Sequence, residues 1–193
     1  MPTLDDEFAQ AVRNVSLKDK QKRAIDAHTE VRDLLEADDE LRGWGVRTRL
    51  IGSYARQTAR YPGKDVDVLV RFVDLSVRHS PEKIYDAVHR VLADMYGVAG
   101  RDEGGRITAQ ARSVKIDFPE PDDHPGVDAF AIDAVPAVPW DSNWAIPNRD
   151  RNQWGSDTQR WIRTDPVRFA DDTDALSTAS WSPTVGGTNA YRP

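Results

Sequence analysis

Asp65 and Asp67 lie two residues apart in the run Asp65-Val66-Asp67-Val68-Leu69-Val70, where acidic and apolar residues alternate. On an extended strand, residues i and i+2 project from one face about 7 Å apart, so both carboxylates point the same way and can share a cation. The pair alone is weak evidence, because Asp172-Thr173-Asp174 repeats the pattern and most exposed carboxylates are simply solvated. Two further features add to it. Gly52-Ser53 stands before Asp65 at the end of a strand-like pattern that leads into a short helix. Backbone N–H groups and a hydroxyl at such a junction form an anion site, and glycine lets phosphate oxygens approach the backbone closely. Asp133 interrupts the apolar run Phe130-Ala131-Ile132-Asp133-Ala134-Val135-Pro136-Ala137, where a carboxylate is costly unless it has a hydrogen-bonded or metal partner. A neighbouring strand would place it beside the Asp pair. Asp133 also has a second reading, as a hydrogen-bonded carboxylate with a structural role. Three carboxylates beside a phosphate cradle suit hard Mg2+, which takes a few carboxylates plus substrate phosphates. Two such ions stabilise both ends of an in-line displacement.

The rest of the composition narrows the alternatives. There is no cysteine, and the four histidines (His28, His79, His89, His124) show no metal-ligand spacing, so any metal is held by oxygen. The formal charge of −6 argues against tight binding of duplex nucleic acid, which relies on Lys and Arg displacing counterions. One stretch departs from that average: from Arg42 to Arg71 there are seven basic residues and two acidic ones. Such a segment offers a place for a small polyanion, or is a solvated basic face. With 39% apolar and 30% charged residues the composition is that of a globular protein. At 193 residues it fits one domain that buries roughly 70% of its unfolded surface. No apolar run approaches the ~20 residues that span a bilayer and no signal-peptide layout opens the chain, so a cytoplasmic protein without a membrane partner is expected.

The elements that must position these residues follow from periodicity. Helices are expected over 4–14 and 17–38, with Ile25, Val31, Leu34 and Leu35 at helical spacing and Ser16 as a cap. Val46, Thr48 and Leu50 alternate with Arg47 and Arg49 as a strand running into Gly52-Ser53, and a short helix over 54–59 follows. Val66, Val68, Val70 and Phe72 mark a second strand. Pro81 opens a helix with a stripe of Ile84, Val88, Val91, Leu92 and Met95 that Gly97 ends. Residues 107–110, 111–118 and 127–138 read as three more strands. Residues 139–161, rich in Trp, Asn, Pro and Asp, read as a long ordered loop with one short strand, and 166–178 as a helix. The fold class is therefore α+β, a mixed or mostly antiparallel sheet with helices packed on one side. Trp140, Trp144, Trp154 and Trp161 offer faces for stacking a purine base, although pinning an irregular segment to the core is the commoner use of Trp.

Gly52-Ser53-Tyr54-Ala55-Arg56-Gln57-Thr58, Asp65-Val66-Asp67-Val68 and the segment from Phe130 to Ala137 together resemble the signature of DNA polymerase β-like nucleotidyltransferases. Within that superfamily they are most similar to the bacterial cyclic-oligonucleotide synthases of anti-phage defence, the cGAS/DncV-like nucleotidyltransferases. Ile146-Pro147-Asn148 and the segment from Trp161 to Pro166 resemble later parts of that group. The resemblance implies a polymerase β-like lobe in which Gly52 and Ser53 bind a triphosphate, with Arg56 supporting the loop. Asp65, Asp67 and Asp133 would be the catalytic residues that bind two Mg2+, for which Mn2+ substitutes. Asp133 would also help activate the attacking hydroxyl. Gln57 stands where many members have Gly. The implied substrates are nucleoside triphosphates, purine ones in particular, joined into a cyclic oligonucleotide second messenger with release of pyrophosphate. The alternative within the same fold is transfer of a single nucleotide to tRNA, protein or a small molecule. Such synthases continue into a helical lobe, so residues 1–193 are expected to be the catalytic lobe alone, completed by that C-terminal lobe or served by a regulatory protein partner, with weak or absent turnover in this form.

Overall fold

The computed structural model describes residues 4–15, 18–55, 65–120, 129–178, 184–185 and 188–189. The elements run α1 (Leu4–Val15), α2 (Lys18–Ala37), α3 (Asp39–Gly43), β1 (Val46–Ile51), α4 (Gly52–Ala55), β2 (Asp65–Phe72) and α5 (Pro81–Tyr96). They continue with β3 (Ile107–Ala109), β4 (Val114–Phe118), β5 (Phe130–Trp140), β6 (Asn143–Pro147), β7 (Trp161–Thr164), α6 (Pro166–Thr178) and a small hairpin, β8 (Thr184–Val185) with β9 (Thr188–Asn189). The main sheet has the order β1-β2-β5-β4-β3, with β6 added to the far end of β5 and β7 to β6. Among the described strands, β2 and β5 pair in parallel and the other neighbours antiparallel. The sheet is thus mixed and the class α+β, as the periodicities imply.

Alternation on the strands divides the sheet into two faces. Val66, Val68, Val70 and Phe72 of β2, Ile132 and Ala134 of β5 and Val114 and Ile116 of β4 point to one face and are buried there. Ala24, Ala27, Val31 and Leu35 of α2 and Ile84, Val88, Val91 and Leu92 of α5 close over them. These helical residues recur every three or four positions, the stripe of a helix packed on one side. Ile25 and Met95, which the spacing assigns to the stripes, are instead exposed, and Ala24 and Tyr96 take the buried positions. Pro81 occupies the first turn of α5, and Gly97 ends it at φ +65, a left-handed conformation that favours glycine. α6 is placed differently, against β1 and α4, where Asp171 pairs with Arg49 at 2.6 Å.

Several elements differ from the sequence expectation. Asp38 caps the separate helix α3 by accepting from the Leu41 N–H at 3.0 Å. The Trp-rich segment contains two strands, β6 and β7, and a short 3-10 turn at Arg151–Gln153. Trp154 and Trp161 are buried there and donate their indole N–H groups to the carbonyls of Asn148 and His79, at 2.7 and 3.1 Å. Both pin this segment to the core. The Ser16 cap, Arg56, Gln57 and the continuation of α4 toward residue 59 lie outside the described residues. Among the described residues no helix is long and apolar enough to cross a membrane.

Candidate active site

The sheet face opposite α2 and α5 carries the carboxylates. Asp65 and Asp67 alternate with the buried Val66 and Val68 and so share that face. β5 lies beside β2 with Asp67 directly opposite Asp133 and Asp65 opposite Ala131. Residues opposite each other in a sheet point to the same side, so all three carboxylates meet one surface. The second Asp-x-Asp, Asp172 and Asp174, falls in α6, where positions two apart do not face one another. Pairing with β4 stops at Ala134, whereas Pro136 stays in register with Val70 of β2.

β1 ends at Ile51, opposite Asp67, and the chain turns there into α4. Gly52 has φ +71, and a Cβ at that position would run into the Asp67 carboxylate. The dihedral angle calls for glycine, and the missing side chain leaves room for the Asp67 carboxylate. The turn therefore places the backbone of Gly52, and Ser53 after it, against the carboxylate face. The turn for which the sequence suggests phosphate binding thus lies beside the acids.

On the other flank, β4 brings residues that the sequence did not single out. Lys115 lies opposite Asp133 and Asp117 opposite Ala131, and the Lys115 ammonium bonds the Asp117 carboxylate at 2.6 Å. That hydrogen bond is the main reason the Lys115 pKa is raised, with Asp65 and Asp133 adding to it. Beyond them a cleft of about 510 Å3 is lined by Asp67, Asp133, Gln110, Arg112, Ser113 and Arg149, among others. The alternation of Lys115 and Asp117 with buried Val114, Ile116 and Phe118 marks one polar strand face, a signal available in the sequence. Arg112 and Arg149 sit in irregular connections with no such pattern.

The Asp133 carboxyl is strongly perturbed. Its pKa is pushed up to about 6, first by burial and then by the charges of Asp67 and Asp65, while Lys115 pulls the other way. Its Oδ1 atom is buried and has no hydrogen-bond partner, so this oxygen is not satisfied in the way the structural, hydrogen-bonded reading requires. A buried, unpartnered carboxylate oxygen beside two like charges fits a position that takes a cation. Among the described residues, no three His, Asp or Glu side chains already close on one point as a cage. Mg2+ does not require one, because it binds through one or two carboxylates together with substrate phosphates and waters.

Comparison with known proteins decides the lineage. A model of the Second Messenger Oligonucleotide or Dinucleotide Synthetase domain (SMODS) matches residues 1–176. The chain belongs to that family. Solved structures of similar fold include the CD-NTase CdnG of Bradyrhizobium diazoefficiens in complex with GTP, at 18% identity and a TM-score of 0.63, over 94% of this chain and 48% of that one. The CdnE cyclic dinucleotide synthase of Elizabethkingia meningoseptica with GTP and Apcpp aligns at 15% identity and 0.57, over 91% and 60%. CdnC of E. coli MS115-1 with ATP aligns at 18% and 0.57, over 89% and 50%. At these identities the likeness establishes the shared fold. The chain spans about half to three-fifths of the length of these relatives. No curated protein matches it.

Proposed function

We propose that this chain is the catalytic half of a Mg2+-dependent nucleotidyltransferase that joins nucleoside triphosphates into a cyclic oligonucleotide with release of pyrophosphate. Its product would be a second messenger, in anti-phage defence as the sequence resemblance implies. The observation that carries the proposal is the pairing of Asp67 with Asp133 across the parallel β2–β5 junction, with Gly52 pressed against the Asp67 carboxylate. Family membership and neighbours solved with GTP or ATP support nucleoside triphosphates as substrates. Alignment with only about half of two of these neighbours supports a second lobe as the remainder of the enzyme.

Asp65, Asp67 and Asp133 would hold two divalent ions, Mg2+ or in its place Mn2+. Bound there, such ions neutralise triphosphate charge and lower the pKa of an attacking hydroxyl. The backbone N–H groups at Gly52 and Ser53 and the Ser53 hydroxyl bind the donor triphosphate, with Arg56 supporting that loop. The acceptor nucleotide occupies the cleft beside Asp133, between Gln110, Arg112 and Arg149. Its ribose hydroxyl oxygen forms a bond to the donor α-phosphorus, the bond from that phosphorus to the pyrophosphate oxygen breaks, and the hydroxyl proton passes toward Asp133. Asp133, half-buried opposite Asp67, is the carboxylate placed to take that proton.

Two measurements test this. Labelled ATP and GTP should gain a binding site with Mg2+ or Mn2+ that is absent in EDTA, and Asp65→Ala with Asp67→Ala should abolish that metal-dependent site while the fold persists. Unchanged metal-dependent binding in the double variant sinks the site. Incubation with the four labelled triphosphates, phosphatase treatment and chromatography should give phosphatase-resistant products once the second lobe is present. Label transferred to added tRNA or protein instead would replace oligonucleotide synthesis with single-nucleotide transfer.

A further inference from the structure

The basic segment that the sequence singles out divides in the fold. Arg47, Arg49 and Arg71 lie on the strands β1 and β2, and Arg32 of α2 joins them. A cavity of about 390 Å3 beside β1 is lined by Arg32, Thr48, Arg49, Arg71 and Asp171, among others. Its guanidinium groups are held in place. Arg32 donates from Nε to Thr48 Oγ1 at 2.8 Å, Arg49 pairs with Asp171 at 2.6 Å, and the Arg71 guanidinium lies over the Trp144 ring at 5.3 Å. β1 is the edge strand of the sheet, so the cavity opens beside the sheet rather than within it.

The charge in this region is not balanced. Four guanidinium groups, of Arg32, Arg47, Arg49 and Arg71, act on one another there, while Glu36 and Asp171 are the carboxylates beside them. Glu36 is already engaged, since its Oε1 accepts from the Thr48 N–H at 2.7 Å and from the Thr48 hydroxyl at 2.5 Å. Arg71 Nε is buried without a hydrogen-bond partner. Burial, then the positive charge of Arg49 and that of Arg32 and Arg47, hold the Arg71 pKa below its ordinary value against the pull of Glu36. In a chain of net charge −6, such a concentration of fixed, under-neutralised cations does not follow from composition. An anion placed among them relieves that repulsion and offers the guanidinium groups acceptors for charge-assisted hydrogen bonds.

We propose that the cavity walled by Arg32, Arg49 and Arg71 is a second, non-catalytic site that binds the phosphate groups of a small molecule. Guanidinium forks from three directions suit a tetrahedral group with several peripheral oxygens. Arg71 lies four residues along β2 from Asp67, about 13 Å at strand rise and on the same side of the sheet, and Ala55 of α4 also lines the cavity, so the site adjoins the carboxylates and is set apart from them by that distance. Asp171 occupies part of the wall through its pair with Arg49 and competes with the incoming phosphate.

The test is calorimetric titration of the 193-residue chain with sodium pyrophosphate in EDTA at low salt. Without a divalent ion the Asp65, Asp67 and Asp133 face repels phosphate, so heat reports the arginine cavity. One saturable site is expected, weakening as salt rises, and Asp65→Asn with Asp67→Asn should retain it. Arg49→Gln with Arg71→Gln should weaken binding by about tenfold or more. Arg32→Gln alone should weaken it as well, which serves if the double variant does not fold. Asp171→Asn should strengthen binding by freeing Arg49. Metal-free ATP binding much more tightly than pyrophosphate identifies a nucleotide tail as the ligand, and equal affinities identify free phosphate groups. No binding at millimolar pyrophosphate, binding indifferent to every arginine variant, or citrate binding as tightly as pyrophosphate would each overturn the proposal.

Discussion

The two faces of the sheet come from the same strands and differ in nearly every physical respect. Behind, Val66, Val68, Val70 and Ile132 are fully buried under α2 and α5. In front, Asp65, Asp67 and Asp133 stand as neighbours of like charge, with an unpartnered Asp133 oxygen. Burial of apolar area behind supplies the favourable energy of folding. The front face draws on it, because holding carboxylates together and half desolvating one of them opposes folding. Substitutions that separate the faces should therefore change different observables: stability for the rear, chemistry for the front.

The largest expected effect is on the front. Asp133→Asn keeps the shape and removes the charge and the proton acceptor, so product formation by the enzyme with its second lobe should fall by roughly 10²–10⁴-fold. Denaturation should show stability unchanged or raised. A comparable loss of stability would mean that the two faces are not separable. On the rear, Ile132→Ala should cost about 2–5 kcal/mol in denaturant unfolding, with nucleotide affinity unchanged where the protein remains folded. Gly52→Ala joins the two effects: its φ of +71 and the collision with Asp67 should cost about 1–3 kcal/mol and weaken metal-dependent nucleotide binding. A Gly52→Ala protein that binds nucleotide normally would remove the cradle from the site.

Smaller changes sharpen the same contrast. In metal-free protein, Asp133 has a folded pKa raised to about 6 from an ordinary 3.8. The folded state thus holds the proton in a range where the unfolded chain releases it. Stability from this group is present below the unfolded value and is lost as pH rises through about 6. Unfolding midpoints should fall between pH 4 and pH 7 in the wild type, and Asp133→Asn should flatten that slope. The smallest effect is expected at Arg90, whose exposed guanidinium pairs with Asp38 and Glu40 at 3.2 and 3.0 Å. Arg90→Ala should cost at most about 1 kcal/mol and nothing measurable in high salt.

The legible parts of this chain were those that local periodicity writes. Strands β1 and β2, the stripe of α5, the extent of α6 and the Asp65–Asp67 face all follow from spacing within a dozen residues. The oddity of Asp133 was visible as a charge in an apolar run. Its place opposite Asp67 was not, since register between strands far apart in sequence is set by the whole fold. Lys115, Arg112 and Arg149 enter the site for the same reason, through β4 and the connections around it. α3 was missed because five residues carry too little periodicity, and β7 because a four-residue strand beside Trp-rich turns resembles a loop. Ile25 and Met95 show the limit of a stripe rule, which fixes a face but not how far the neighbouring element reaches over it.

The β2–β5 junction has a consequence for how the protein is made. Asp67 and Asp133 meet through a parallel pairing that bridges sixty-six positions of sequence, and contacts of such long range are slow to form. β1 and β2, joined antiparallel, can pair while the chain is still emerging from the ribosome. Asp65 and Asp67 of β2 then lack a third partner until β5 has been synthesised and has inserted between β2 and β4. Acquisition of the acidic triad is thereby tied to completion of the central sheet, and a nascent or partly unfolded chain has no assembled site with which to engage nucleotide.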